Sequence, residues 1–241
     1  MDRAVPDGMP HRRNARRRAG RPEDDMNGRL LVFTRTLGYR HESIPAGVAA
    51  VRELAAGVRV DATEDEDVFT PAGLARYDAV VFLSTSGEVL DEAGRAAFEG
   101  YIRGGGNFVG VHAASTTGYD WPFYGRLVGA WFNQHPKVQR ATVRVVDRDH
   151  PATVDLAPEW VLTDEWYNFR TDPTGSVRVL ATVDESSYSG GTMGPNHPIA
   201  WCHENLGGRA FYTALGHPVE AYADPAFRSH LAGGIRYAVG G

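Results

Sequence analysis

Short apolar runs alternate with longer stretches of helical character along the first half of the chain. Four of the runs have the length and composition of β-strands, namely residues 30–34, 58–62, 78–83 and 107–111. Ser43 and Asp91 are good N-caps, and apolar residues after Asp91 recur every three or four positions, as on one helix face. Strands that alternate with helices predict a doubly wound, mostly parallel sheet whose strands share one carboxyl edge.

The pattern changes towards β-structure from about residue 134. Strand-like stretches follow at residues 138–147, 177–184, 198–203 and 209–215, with a hairpin signal between the last two. Asp224 and Pro225 predict the start of a final helix that ends near residue 239. Residues 26–241 are therefore predicted to form one α/β domain with β-rich additions in its C-terminal half.

Residues 1–25 differ in composition from the rest of the chain. They contain seven arginines and five acidic residues among few apolar ones, which predicts a disordered arginine-rich tail. An arm that binds nucleic acid or membranes is the alternative interpretation. Met26 would be a natural start, and the sequence leaves open whether residues 1–25 are translated.

The composition and net charge of the chain argue against several classes of protein. The 26.3 kDa chain is 42% hydrophobic, which is enough for a sizeable core. Its net charge of −5 argues against nucleic acid or anionic lipid as a partner. One cysteine excludes an internal disulfide, and no apolar run is long enough to span a membrane. We therefore expect a cytoplasmic protein.

Polar residues capable of chemistry follow three of the predicted strands. His41 comes after the first strand, His112 directly follows the strand at residues 107–111, and His217 follows the strand at residues 209–215. In a doubly wound sheet these positions share one edge, which is the usual place of an active site. A lone histidine is more often an ordinary packed or surface residue than a catalyst, but three of them at strand ends bring the two interpretations level.

The segment around His112 resembles a nucleophile elbow, in which a sharp turn after a strand presents one side chain between small neighbours. An imidazole at this position can act as a general base, a proton shuttle or a metal ligand. Cys202 is a poor nucleophile candidate because it lies within an apolar strand. The glycines at residues 104–106 precede a strand, so they predict a helix end rather than a phosphate loop.

Two further uses of these residues remain open. Aromatic and acidic residues cluster at residues 119–124, 129–136 and 164–168, which suits a sugar site but also a packed core. The histidines and a carboxylate could instead bind zinc or a similar divalent metal, although no His-x-x-x-His spacing is present. The candidate metal ligands are His41, His112, His135, Glu165 and His217.

Several motifs in order resemble the trehalose-utilisation (ThuA-like) family. They cover most of the chain from about residue 29 to 239 and lie at residues 38–44, 104–115, 121–124, 129–135, 164–167, 198–201 and 208–217. That family is similar to the class I glutamine-amidotransferase-like superfamily. The resemblance implies a flavodoxin-like three-layer sandwich.

The same resemblance implies roles for individual residues. Amidotransferases carry a catalytic cysteine at the elbow, where this chain has His112, so glutaminase activity is not expected. His217-Pro-Val-Glu220 looks like their His-Pro-x-Glu motif, which makes His217 a base and Glu220 its orienting carboxylate. We thus assign His112, His217 and Glu220 as catalytic.

Family context implies sugar catabolism, with action on a disaccharide or glycoside, including 3-keto forms, by acid/base and metal-assisted chemistry. The small-molecule partner would be a carbohydrate, and apolar edge strands would permit a homo-oligomer. A non-catalytic sugar-binding or regulatory module on the same scaffold is the alternative. The expected substrate-binding residues are Arg40, His41, Ser115, Trp121, Tyr124, His135, Asp164, Glu165 and Tyr167.

Overall fold

The computed structural model describes residues 28–240, so the predicted tail at residues 1–25 lies outside the described residues. The strands in the described part are β1 (Arg29–Phe33), β2 (Arg59–Thr63), β3 (Ala79–Leu83), β4 (Ser86–Gly87), β5 (Asn107–Val111), β6 (Thr116–Thr117), β7 (Phe132–Gln134), β8 (Gln139–Val145), β9 (Glu159–Asp164), β10 (Asn168–Phe169), β11 (Arg178–Val183), β12 (Pro198–His203) and β13 (Ala210–Thr213).

The α-helices of the same part are α1 (Ile44–Leu54), α2 (Pro71–Leu74), α3 (Glu92–Arg103), α4 (Pro122–Val128) and α5 (Pro225–Val239). Short 3₁₀ helices cover Glu66–Val68, His112–Ser115, Glu185–Ser187 and Val219–Ala223. No helix within residues 28–240 has the length and apolar character needed to cross a membrane.

One nine-stranded sheet organises the molecule, in the order β2-β1-β3-β5-β13-β12-β11-β8-β9. The strands from β2 to β13 pair in parallel. The strands from β13 to β9 pair in antiparallel fashion and extend the same sheet. The predicted mixed α/β class with β-rich additions is confirmed, while the flavodoxin-like detail stays a prediction.

Helices cover both faces of the parallel half. Phe82 stacks on Phe98 of α3, with ring centroids 5.2 Å apart. The next residue, Leu83, lies against Gly47 of α1, where an added Cβ would come within 2.9 Å of it. Successive strand residues point to opposite faces, so α1 and α3 lie on opposite sides of the sheet. The parallel half is therefore three layers thick.

Local sequence signals explain where the helices begin. Asp91 accepts a hydrogen bond from the Gly94 amide at 2.7 Å, and Asp224 accepts one from the Phe227 amide at 2.9 Å, as predicted for N-caps. Ser43 precedes α1 but makes no capping bond. Its hydroxyl instead donates to the Gly216 carbonyl at 3.2 Å, which ties the start of α1 to the loop after β13.

Two buried histidines join α5 to the loop at residues 150–156. His230 Nδ1 donates to the Ala152 carbonyl at 2.9 Å, while His150 Nδ1 accepts from the Ala152 amide at 3.1 Å. Burial lowers the pKa of each histidine to about 4. Both side chains are therefore neutral in the folded protein at neutral pH.

This burial predicts loss of stability in mild acid. From about pH 6.5 down to about pH 4 the unfolded chain binds protons that the folded chain excludes, so the free energy of unfolding falls as pH falls. We expect His230→Asn, whose amide can still donate to Ala152, to flatten this dependence by up to about 1.4 kcal/mol per pH unit. Urea unfolding at several pH values between about 4 and 6.5 measures this pH dependence of the free energy of unfolding. Equal slopes for the two proteins, at unchanged m-value, would contradict the prediction.

Candidate functional site

Four chain segments bring one side chain each to the carboxyl edge of the sheet. His41 follows β1, His112 follows β5, His217 follows β13, and Glu165 follows β9 from the antiparallel half. One nitrogen or carboxylate oxygen from each lies within 4.8 Å of the others. The prediction that the strand-end histidines meet is confirmed.

His112 sits on a strained turn, as the elbow pattern predicts. Its φ of +51° lies in the left-handed region, which residues other than glycine rarely adopt. His112 Nδ1 lies 2.7 Å from the Ala214 carbonyl oxygen. Because a carbonyl oxygen only accepts, Nδ1 carries the proton and Nε2 presents its lone pair to the cluster. The side chain is wholly buried, unlike the exposed nucleophile of an elbow.

Three polar groups surround the Nε2 atom of His112. The Tyr167 hydroxyl donates to it at 3.0 Å, His41 Nε2 lies 3.1 Å away, and Glu165 Oε2 lies at 3.5 Å. Burial together with the nearby His112 and His217 lowers the pKa of His41 to about 3. His41 is therefore neutral at pH 7 and has a lone pair available for a ligand.

Glu165 is the charged centre of the site. Burial alone raises the pKa of Glu165, but the nearby imidazoles of His112 and His217 outweigh it and hold that pKa well below its usual range. Its Oε2 lies 3.2 Å from His217 Nδ1, and its Oε1 lies 3.0 Å from His135 Nδ1. The nearby Glu165 carboxylate in turn raises the pKa of His217. One carboxylate thus links the histidine cluster to His135.

His135 has the tautomer expected of a base. Its Nδ1 lies 2.8 Å from the Pro136 carbonyl oxygen as well as near Glu165. Since both neighbours are acceptors, Nδ1 carries the proton in the neutral ring. Nε2 then keeps its lone pair, and it makes no hydrogen bond within residues 28–240.

Asp164 holds the backbone of the site rather than a ligand. Its carboxylate is fully buried and accepts hydrogen bonds from the amides of Glu165 at 2.8 Å, Gly216 at 2.8 Å and His217 at 3.0 Å. Burial raises the pKa of Asp164. Asp164 is among the expected substrate-binding residues, but its oxygen atoms face backbone amides and it does not line the cavity.

The cluster opens into a cavity of about 510 Å³. Wholly buried His112 is absent from its walls and lies behind them. The cavity is lined by Gly38, Tyr39, His41, Ser86, Gly87, Thr116, Tyr119, Phe132, His135, Glu165, Tyr167 and His217. Four of the residues predicted to bind substrate therefore reach it, namely His41, His135, Glu165 and Tyr167.

Three other predicted substrate-binding residues belong to the core. Tyr124 is fully buried, stacks on Trp121 with centroids 5.5 Å apart, and donates to the Ala114 carbonyl at 2.8 Å. Ser115 Oγ accepts from the Tyr212 hydroxyl at 2.9 Å. None of the three lines the cavity. In the structure Trp121 and Tyr124 pack in the core, as the packed-core alternative predicts.

Arg40 and Glu220 also lie away from the cluster. Arg40 is exposed and donates to Glu64 at 2.6 Å. Glu220 is exposed on the 3₁₀ helix Val219–Ala223. Both Glu220 and His217 line a separate cavity of about 310 Å³. Within residues 28–240, however, no hydrogen bond or ion pair joins the two side chains. The carboxylate beside His217 is Glu165, so Glu220 does not hold the predicted orienting position.

Sequence reasoning missed several residues that line the cavity, including Tyr39, Tyr119 and Phe132. Tyr119 and Phe132 lie in the aromatic segments at residues 119–124 and 129–136, where no pattern distinguishes them from Trp121. The short strands β7 and β10 pair with each other, and this pairing brings the ring of Phe132 to within 4.4 Å of the ring of Tyr167, measured between centroids. Strands of two or three residues leave little periodicity to detect.

The chain matches the family described as trehalose utilisation (ThuA) over residues 29–238. A ThuA-like protein from Bacteroides uniformis is 24% identical, with a TM-score of 0.75, over 88% of this chain and 91% of its own. A ThuA-like protein from Parabacteroides merdae is 20% identical, with a TM-score of 0.74, over 88% and 90% of the two chains.

A cytoplasmic protein from Salmonella typhimurium is 13% identical, with a TM-score of 0.61, over 87% of this chain and 98% of its own. No curated protein matches the chain significantly. These structural likenesses show the shared fold, and the family match covers nearly all of the described residues. By its sequence the chain belongs to the ThuA family of trehalose utilisation.

Proposed function

We propose that the protein is a carbohydrate-catabolism enzyme that acts on a 3-keto-disaccharide or glycoside by acid/base chemistry assisted by a divalent metal. The observation that carries this proposal is the cluster of three histidines and one carboxylate beside a 510 Å³ cavity. The family's link to trehalose utilisation supports a carbohydrate as the ligand class.

The chemistry follows from the ketone. A carbonyl at C3 of a sugar acidifies the C2–H bond, so a base can remove that proton. The C1–O bond then breaks, the departing oxygen takes a proton, and a 1,2-unsaturated 3-keto sugar remains; isomerisation of the carbonyl would begin with the same proton transfer. Both routes need a positioned base and a group that stabilises the enolate oxygen.

The donor set fits a divalent metal such as zinc. Three imidazoles with one carboxylate are common ligands of that ion, and neutral His41 and the Nε2 lone pair of His112 have the protonation that binding requires. The hydrogen bond from His112 Nδ1 to a backbone carbonyl is the usual support of a metal-bound histidine. When bound, the ion would supply Lewis-acid stabilisation of the enolate oxygen.

The Glu165–His135 pair is suited to the proton transfer. His135 lines the cavity with its Nε2 lone pair uncommitted, and Glu165 Oε1 lies 3.0 Å from the Nδ1 proton. This is the arrangement of a base oriented by a carboxylate. We therefore assign the base to His135, and assign His112 and His217, first considered as catalytic, to the ligand set with His41 and Glu165.

Metal content tests the ligand set. We expect protein purified without a histidine tag to bind about one divalent ion per chain in elemental analysis. His41→Ala, His112→Ala and His217→Ala should each weaken binding more than the about 10- to 100-fold that loss of a supporting partner costs. His135→Ala is the matched control and should keep the ion. Wild-type protein without metal affinity, or full affinity in His112→Ala, would rule out the site.

Turnover tests the base. We expect His135→Ala to lower kcat for a 3-keto-glycoside by about 100- to 10,000-fold while metal content stays the same, because the oriented base is lost. Release of the alcohol and absorbance of the unsaturated ketone report the reaction.

Two results would contradict the proposed function. Full turnover in both His112→Ala and His217→Ala would show that the cluster has no part in the reaction. Binding of a carbohydrate by metal-loaded wild-type protein, without turnover of oxidised or unoxidised forms, would instead support a sugar-binding or regulatory module.

A further inference from the structure

Aromatic rings form much of the cavity outside the histidine cluster. We call Tyr39, Tyr119 and Phe132 the apolar wall, because each lines the cavity and none belongs to the cluster. Tyr39 contacts His41 edge-on, with ring centroids 4.8 Å apart, and the ring centroids of Phe132 and Tyr167 are 4.4 Å apart. The wall thus adjoins the cluster, and a molecule that reacts there would extend along it.

Most hydroxyl groups in this part of the lining already donate a hydrogen bond to another group of the protein. Ser86 Oγ and Thr116 Oγ1 each donate to a backbone carbonyl oxygen at 2.7 Å. The Tyr119 hydroxyl donates to another at 3.1 Å. The hydroxyl of Tyr39 belongs to a side chain that is 67% exposed. The buried part of the wall therefore has few protons to offer a ligand.

The two glycines in the lining add backbone but no side chain. The Gly38 amide donates a hydrogen bond to the Ser86 carbonyl at 3.2 Å, so this amide is not free to bind a ligand. The Gly87 carbonyl accepts from the amides of Val89 at 3.1 Å and Gly118 at 3.2 Å. Gly87 has a φ of +82°, and a Cβ there would lie 3.2 Å from the Gly38 nitrogen. These polar groups are likewise satisfied within the protein.

We propose that the apolar wall binds an aromatic or other apolar aglycone, so that the substrate is a glycoside of an apolar alcohol rather than a disaccharide. A second sugar would bury several hydroxyl groups against rings and satisfied carbonyls, and each unpaired buried hydroxyl weakens binding. An aromatic aglycone needs no hydrogen bond and can pack edge-on or offset against Tyr39, Tyr119 and Phe132. The assignment rests on the proposed function, which places the reacting sugar at the cluster.

Binding of unoxidised ligands tests the wall without any reaction. Benzyl glucoside and a glucose disaccharide of the same anomeric configuration are titrated into metal-loaded protein by calorimetry. We expect the benzyl ligand to bind about tenfold more tightly. Tyr39→Ala and Phe132→Ala should bring the two affinities close together. Leu37→Ala is the matched control, since Leu37 is exposed on the same loop and does not line the cavity.

Turnover of the 3-keto forms of both ligands separates this inference from the proposed function. Benzyl alcohol is chosen because it is no better a leaving group than a sugar hydroxyl, so a faster reaction reports recognition. We expect a kcat/KM about tenfold higher for the benzyl compound, lost in Tyr39→Ala.

Equal or tighter binding of the disaccharide overturns the inference, as does undetectable binding of the benzyl ligand at about 10 mM. Turnover of neither 3-keto compound contradicts the proposed function, and the binding comparison then still decides the role of the wall. A disaccharide that is turned over faster than the benzyl compound overturns the inference and leaves the proposed function in place.

Discussion

The site depends on one buried carboxylate. Asp164 ends the antiparallel edge strand β9, yet its oxygens accept the amide protons of Gly216 and His217, which follow the parallel strand β13. A carboxylate without partners would be costly to bury, and three amide hydrogen bonds offset part of that cost, although burial still raises the pKa of Asp164. Because Asp164 fixes the end of β9 against this turn, the next residue, Glu165, lies beside His217.

This connection gives the cluster its electrostatic character. The parallel half supplies His41, His112 and His217, whose close imidazoles would repel one another if all were protonated. The antiparallel half supplies the carboxylate of the cluster, Glu165, which raises the pKa of His217 and faces His135 with its other oxygen. These contacts hold the groups of the site in fixed positions, and such positioning is a condition for strong electrostatic stabilisation of a transition state.

Sequence predicts the parts of this arrangement that depend on local pattern. The strands, the caps at Asp91 and Asp224 and the meeting of strand-end histidines follow from periodicity and from the geometry of parallel sheets. It does not separate Asp164 from Glu165, because neighbouring residues point in different directions that only the tertiary structure fixes. The His-Pro-x-Glu resemblance points to Glu220 rather than Glu165 as the partner of His217, because such a motif records neighbours along the chain and not contacts between distant strands.

The left-handed backbone at His112 has a consequence for how the protein could change. Such a conformation costs about 1–2 kcal/mol for any residue with a Cβ, whereas glycine adopts it freely. Local backbone energy therefore favours glycine at this position, and the imidazole is kept against that preference. Replacing His112 by glycine would release this backbone cost, but it would also empty a wholly buried site and remove the Nδ1 hydrogen bond to Ala214, so packing rather than backbone preference keeps the imidazole there.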